Sequence, residues 1–346
     1  RLDVIDQIAK EPDLKITNNG PRLHEFIQEL SRETFQKGDL ITVGEAWGAD
    51  IDRAKLYSKP DGSEFSMVFQ FEHMMLDQEP GKEKWDFCPL PFVKLKKCLE
   101  KWQKELHGCG WNSLFWDNHD LPRIVSRWGN DREYRVEAAK MLATVLHGME
   151  GTPYVYQGEE LGMTNVRFDS IEQYQDIEIR NMYRERLEKG YAEKDIMESI
   201  YAKGRDNART PVQWDSSPNA GFTTGIPWLM VNPNYREINV KAQEQDKNSL
   251  LSFYKQMIAL RKNKDYKETL VYGDVIPFER ERHNLMAYHR KGEKDLLIVG
   301  NFQKEPQTVT LPSSVKRVLL NNYPHLSQEG NTLQLCSYQA LVLELV

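Results

Sequence analysis

Three carboxylates each close a short apolar run: Asp3 in Arg-Leu-Asp-Val-Ile-Asp (1–6), Glu45 in Ile-Thr-Val-Gly-Glu-Ala (41–46) and Asp120 in Leu-Phe-Trp-Asp-Asn-His-Asp (114–120). A strand that ends in an acid suits a barrel presenting its chemistry at the C-terminal ends of its strands. Cleavage of a glycosidic bond needs such acids, one to attack or stabilise and one to protonate the leaving oxygen. Arg1 lies two residues from Asp3, which in a strand puts both side chains on one face, so it can hold Asp3 ionised and oriented. Asp6 reads as a structural or capping residue. His119 abuts Asp120 at a strand end and is expected to hydrogen-bond a sugar hydroxyl. Trp47, two past Glu45, offers a flat apolar face on which a sugar can stack.

The elements that must position these residues alternate between strand and helix up to about residue 265. Leu23, Phe26, Ile27 and Leu30 have helical spacing. A strand is expected at Leu40–Val43 ending in Gly44-Glu45, another at Ser66–Phe71, and a helix at Lys94–Leu106 with Leu95, Cys98, Leu99, Trp102 and Leu106 on one face. Ser113–Trp116 reads as a strand, Arg135–Leu146 as a helix and Gly151–Glu160 as a strand with its loop. Residues 163–235, rich in charge, Asn and Pro, read as a long irregular excursion of the functional kind. A closing helix is expected from about Asn248 to Arg261 with Leu251, Tyr254 and Ile258 inward. Beyond about residue 271 the period becomes two, at 284–288, 296–300, 308–311, 318–320 and 333–346, as in antiparallel strands. The expected architecture is α/β: the C-terminal half of a (β/α)8 barrel over residues 1–268, from the end of strand four onward, then a small antiparallel β-sandwich over 269–346.

Composition narrows the function. The 346 residues carry 46 basic and 52 acidic side chains, a formal net charge of −6, with Lys and Arg scattered. That argues against a nucleic-acid partner and fits a neutral sugar. The cysteines, Cys88, Cys98, Cys109 and Cys336, form no C-x-x-C pair and no zinc framework, and read as free thiols in a reducing cytoplasm. No run reaches the ~18–20 apolar residues of a membrane span.

The blocks Arg1-Leu2-Asp3, Gly44-Glu45 and Asn118-His119-Asp120, followed by Tyr156-Gln-Gly-Glu-Glu160, resemble the α-amylase superfamily of retaining glycosidases. Ser66–His73, Gly110–Trp116, Gly204–Pro211 and Val231–Tyr235 are similar to the oligo-1,6-glucosidase branch and its dextran glucosidases. The resemblance implies that Asp3 is the nucleophile, Glu45 the general acid/base and Asp120 the stabiliser of an oxocarbenium-like transition state. Glu45 is then the acid expected to keep its proton until substrate arrives. It also implies that Arg205 sits in the glucose pocket, that Val4 favours α-1,6 over α-1,4 linkages, and that Lys84 and Glu178 contact the sugar beyond the scissile bond. The expected substrates are isomaltooligosaccharides. The alternatives are a trehalose-6-phosphate hydrolase, which needs a cationic phosphate pocket, or a non-catalytic, transporter-associated relative, which typically lacks the acids and carries an anchor. The resemblance places the family's first motif, strands one to three, an inserted domain and any calcium site ahead of Arg1. No metal or other cofactor is therefore assigned to this chain. On that expectation these 346 residues alone are insoluble or inactive, and the complete enzyme is a monomer.

Overall fold

The computed structural model describes residues 1–346. Leu2, β1 (Val43–Glu45), β2 (Met67–Phe69), β3 (Ser113–Leu114) and β4 (Thr152–Pro153) lie side by side, all parallel and in chain order. Leu2 joins by a bridge to Gly44, with its N–H on Val43 O at 2.9 Å and its carbonyl accepting from Glu45 N at 2.8 Å. A second bridge, Val68 to Asn112, links β2 to the segment entering β3. Five parallel neighbours in sequence order, joined by helical crossovers, form an arc of a barrel. A Cβ at Gly44 would stand 2.9 Å from Ile5 and 3.0 Å from Phe65, so only glycine lets the backbone before Glu45 approach so closely.

The crossovers include α1 (Leu23–Glu33), α2 (Ile51–Tyr57), α3 (Phe92–Leu106), α4 (Ile124–Arg127) and α5 (Arg135–His147). The α3 face is the expected one, with Leu95, Cys98, Leu99, Trp102 and Leu106 all buried. The strand expected at Leu40–Val43 starts later. Leu40 and Ile41 are exposed and pairing begins at Val43, where Leu2 and β2 supply neighbours on both sides.

Residues 163–235 are not the irregular loop their composition suggests. They hold α6 (Ile177–Glu188), α7 (Glu193–Lys203) and the short α8 (Asp206–Arg209) over a small core of their own. Ile179, Met182, Ile196, Ile200, Phe168 and Tyr174 pack there with Trp85. A narrow apolar stripe on otherwise charged helices is enough when two helices share it. After α9 (Val240–Glu244), the closing helix α10 (Leu250–Lys262) buries Leu250, Phe253, Tyr254 and Met257. Tyr254 points inward as expected. Ile258 is instead exposed and Leu251 packs at the side, because α10 presents the 250/253/254/257 stripe to α5.

The helix α11 (Lys267–Tyr272) crosses residue 268, and the first sandwich strand, β5 (Asp274–Phe278), follows it. One sheet runs β5–β6–β7–β12–β9, where β6 is Leu285–Lys291, β7 Asp295–Asn301, β9 Val315–Asn321 and β12 Ala340–Leu345. The other is β10 (Ser327–Glu329), β11 (Thr332–Leu335) and β8 (Gln307–Thr310). The run expected as one strand at 333–346 is two strands in different sheets, split by a turn in which Tyr338 takes a φ of 52°. Every residue of β12 is buried. One face (Leu341, Leu343, Leu345) meets the three-stranded sheet, and the other (Ala340, Val342) meets α5 and the barrel core. β7 and β12 read as near-continuous apolar runs because both their faces are covered, whereas β8 and β11 keep the alternation of a half-exposed sheet.

Candidate active site

The strand ends and the 163–235 segment enclose one cleft of about 590 Å³. Asp3, Val4, Glu45, Trp47, Lys84, His119, Asp120, Glu178 and Arg205 all line it. Arg1 stands behind them, against the two acids. The structure thus brings together every residue singled out from the sequence, across 205 positions of chain.

Glu45 emerges from β1 nearly sealed, 3% exposed, whereas Asp3 is 68% exposed. Arg1 bridges them, at 2.6 Å from Asp3 Oδ1 and 3.0 Å from Glu45 Oε2. The Arg1 guanidinium beside Asp3 holds its carboxyl below the usual carboxylate range. Glu45 also accepts from Val4 N and from Trp47 Nε1, each at 3.2 Å. The Val4 donor depends on a left-handed backbone, φ 38° and ψ 45°, which is costly for a β-branched residue. Asp6 is buried and accepts from Gly48 N at 2.8 Å, pinning the turn that carries Trp47. Trp47 stacks one face on Phe71, 3.7 Å between centroids and 6° between planes, and shows part of its surface to the cleft.

The opposite wall is a web of charges. Asp120 Oδ1 receives Arg209 at 2.8 Å and Arg205 at 3.4 Å, and His119 Nε2 lies 3.1 Å from Oδ2. Arg205 forks onto Asp176 at 2.6 and 2.8 Å and reaches Glu178 at 3.1 Å. Burial alone would raise the Asp176 carboxyl, but the Arg205 fork overrides it and holds it low, while the same fork raises Arg205. Lys84 pairs with Glu178 at 2.5 Å, and burial lowers its ammonium. Lys84 and Glu178 therefore neutralise each other at the rim.

Five charged groups of this wall escaped sequence reading: Asp176, Arg209, Asp77, Arg127 and Lys203. Arg209 repeats Arg205 four residues on, a helical spacing that gives it away in retrospect. At the back of the cleft Asp77 accepts from Arg127 at 2.6 and 2.7 Å, Lys203 at 2.7 Å and Trp128 at 3.0 Å. Burial works against the Asp77 charge, yet the two cations bring it to about 2, while burial, then Arg127, lowers Lys203 to about 8. No local pattern announces this cluster, since its members come from three distant segments. No group of three or more His, Cys, Asp or Glu side chains is arranged to hold a metal ion.

A parallel arc carrying acids at its strand ends, capped by an antiparallel sandwich, defines a class. The chain belongs to the α-amylase family: the description "Alpha amylase, catalytic domain" fits residues 1–273 and "Alpha-amylase SusG C-terminal domain" fits 285–342. Among individual relatives, it is 51% identical over 344 residues to an oligo-1,6-glucosidase of Parageobacillus thermoglucosidasius and 51% identical over 325 residues to a glucan 1,6-alpha-glucosidase of Streptococcus pneumoniae. Each comparison covers 93% of this chain and 60% of the relative. The crystal structure of Bacillus licheniformis trehalose-6-phosphate hydrolase superposes with a TM-score of 0.93 at 43% identity, over all of this chain and 65% of that one. The chain thus spans about three fifths of the length of the two curated relatives.

Proposed function

We propose that the protein carrying this chain is a retaining α-glucosidase that removes glucose from the non-reducing end of α-1,6-linked isomaltooligosaccharides. The observation that carries this reading is the convergence of Asp3, Glu45 and Asp120 on one cleft, with Asp3 the member held ionised. Asp3 attacks the anomeric carbon and forms a glucosyl ester. Glu45 gives its proton to the leaving oxygen, then takes one from the water that releases α-glucose. Asp120, held by Arg209 and Arg205, faces the charge that develops on the ring.

Identities near 50% to two α-1,6-glucosidases support the linkage. The alternative, a trehalose-6-phosphate hydrolase that would cleave the glycosidic bond of a phosphorylated disaccharide with the same three acids, gains little from Lys84, which is already paired with Glu178. Four cysteines without a disulfide support a cytoplasmic setting, and no helix is long and apolar enough to cross a membrane. We further propose an oligosaccharide substrate for a protein that is a monomer when complete. The test is hydrolysis of isomaltotriose, maltotriose and trehalose 6-phosphate by the whole protein, recording the anomer released. Preferential release of α-glucose from isomaltotriose is expected. Preference for the phosphorylated sugar would transfer the assignment, and silence on all three would favour a binding role.

A further inference from the structure

The turn α8 carries two arginines, Arg205 just before it and Arg209 at its end, to the cleft, and between them it buries Asp206 and Asn207 completely. Neither has a part in the reaction above. A carboxylate and an amide so buried are costly unless they are hydrogen-bonded. Asn207 is satisfied at both ends. Its Oδ1 accepts from Val166 N at 2.9 Å, and its Nδ2 donates to the carbonyls of Tyr201 at 3.1 Å and Ile200 at 3.3 Å. These bonds fasten α8 to the end of α7 and to the segment leading into it.

Asp206 reaches further. Its Oδ2 accepts from Gln175 N at 2.7 Å and from Asp176 N at 3.1 Å. Both N–H groups stand ahead of α6, which Asp176 caps by accepting from Glu178 N at 3.1 Å. An N–H in that position has no partner inside the helix, so its acceptor must come from elsewhere in the chain. Asp206 Oδ1 is buried without a partner, so these two bonds are all that the carboxyl holds. The neighbouring arginines are engaged elsewhere, Arg205 on Asp176, Glu178 and Asp120, and Arg209 on Asp120 and the His119 carbonyl.

Two adjacent residues therefore grip two adjacent residues. Arg205 takes the Asp176 side chain at 2.6 and 2.8 Å, and Asp206 takes the backbone beneath it. A fork between two side chains leaves both able to swing together, and fixing the backbone under one removes that freedom.

We propose that Asp206 is a positioning residue: by fixing the backbone of Asp176 it holds the carboxylate that orients Arg205, and through Arg205 it acts on bound sugar. Its effect on turnover rests on the glucosidase reading, whereas its hold on Arg205 does not.

The test compares the whole protein with Asp206→Ala, Asp206→Asn, Arg205→Lys and the double variant Asp206→Ala/Arg205→Lys. The asparagine oxygen can still accept both N–H groups, and alanine offers nothing. On isomaltotriose, Asp206→Ala should lower kcat/KM about tenfold, the worth of two such bonds, and Asp206→Asn should restore most of it. In the Arg205→Lys background the alanine change should cost less than about threefold, because the residues act as one unit. Full additivity, or an asparagine variant as poor as alanine, overturns the proposal. Phenylglyoxal labelling read by peptide mass spectrometry reports on Arg205 without substrate. Arg186 of α6, paired with Asp86 at 2.8 Å, is the internal reference. Asp206→Ala should speed labelling of Arg205 several-fold and leave Arg186 unchanged. Unchanged Arg205 labelling, or an equal rise at both arginines, overturns the hold on Arg205, the second by showing that the whole helical unit has loosened. Should Asp206→Ala fail to fold, Asp206→Ser, whose hydroxyl stops short of both N–H groups, carries the same measurements. A protein inactive on every glucoside would reject the glucosidase reading, and the labelling alone would then decide the role of Asp206.

Discussion

The two walls of the cleft are built differently. On one, Asp3 and Glu45 are held by backbone contacts and by a single arginine: Leu2 bridges Gly44, Val4 donates to Glu45, and Arg1 spans both acids. On the other, Asp120 rests in a web in which Arg205, Arg209, Asp176, Glu178 and Lys84 compensate one another. The difference follows from what each wall must do. The first must leave its acids free to change protonation and bonding during turnover. The second must present one fixed negative charge, and paired ions around it resist reorganisation.

The comparison breaks most sharply at the acids themselves. Asp3→Asn should lower kcat by at least about 10⁴-fold on every glucoside, since nothing else can form the ester. Glu45→Gln should cost about 10²–10⁴-fold on sugar leaving groups, but far less on an aryl glucoside whose phenol departs without a proton. Steady-state kinetics on isomaltose and an activated aryl glucoside separate the two. Equal losses on both substrates in the glutamine variant would remove Glu45 from the acid role.

On the charged wall, Arg205→Lys keeps the charge but loses the fork onto Asp176. The expected loss is about 10–100-fold in kcat/KM, the worth of one or two charge-assisted hydrogen bonds. Asp176→Asn should cost a similar amount, and the double variant little more than either alone, because the two side chains act as a unit. Additive losses would mean that Arg205 and Asp176 serve substrate separately.

Deeper on the same wall, Asp77 gives a pH test. Its folded value of about 2 lies below the ordinary 3.8 because Arg127 and Lys203 outweigh the burial cost. A depressed carboxylate contributes stability that is present above its unfolded value and is lost as pH falls through the folded one. The wild type should therefore lose about 2 kcal/mol between pH 5 and pH 2 that Asp77→Asn does not lose. Acid unfolding curves that stay parallel for the two proteins would show that the cluster is energetically silent.

The first wall was far more legible in the sequence than the second. Asp3, Glu45 and Trp47 sit in contiguous motifs whose strand spacing is local information. Asp77 meets Arg127 across 50 residues and Arg205 meets Asp120 across 85, and no periodicity predicts such meetings. The helices α6 and α7 were obscured for a related reason. Their burial rests on two or three apolar positions each, against a charged background that reads as loop. In the sandwich the strands were visible, but the break at Tyr338 between β11 and β12 was not, because apolar residues flank the turn on both sides.

The smallest expected effect lies at Val4 and asks whether the first wall reads linkage by side chain or by backbone. Val4 lines the cleft and holds a left-handed conformation whose N–H serves Glu45. Val4→Thr keeps shape and strain and exchanges one methyl for a hydroxyl in a partly exposed position, where water can satisfy it. The α-1,4 to α-1,6 hydrolysis ratio should rise by about 3–10-fold, the range a single pocket contact can discriminate. Val4→Gly is the complementary probe. It removes the side chain and relieves the ~1–2 kcal/mol that an L-residue suffers in the left-handed region, less the chain entropy that glycine loses on folding. If the valine methyls exclude the α-1,4 geometry, Gly should relax the ratio at least as far as Thr. If the threonine hydroxyl recruits that geometry by hydrogen bonding, Thr should move the ratio and Gly should not. A ratio unmoved by either change would leave Val4 with one task, aiming its N–H at Glu45, and Gly should then perform that task with a higher Tm.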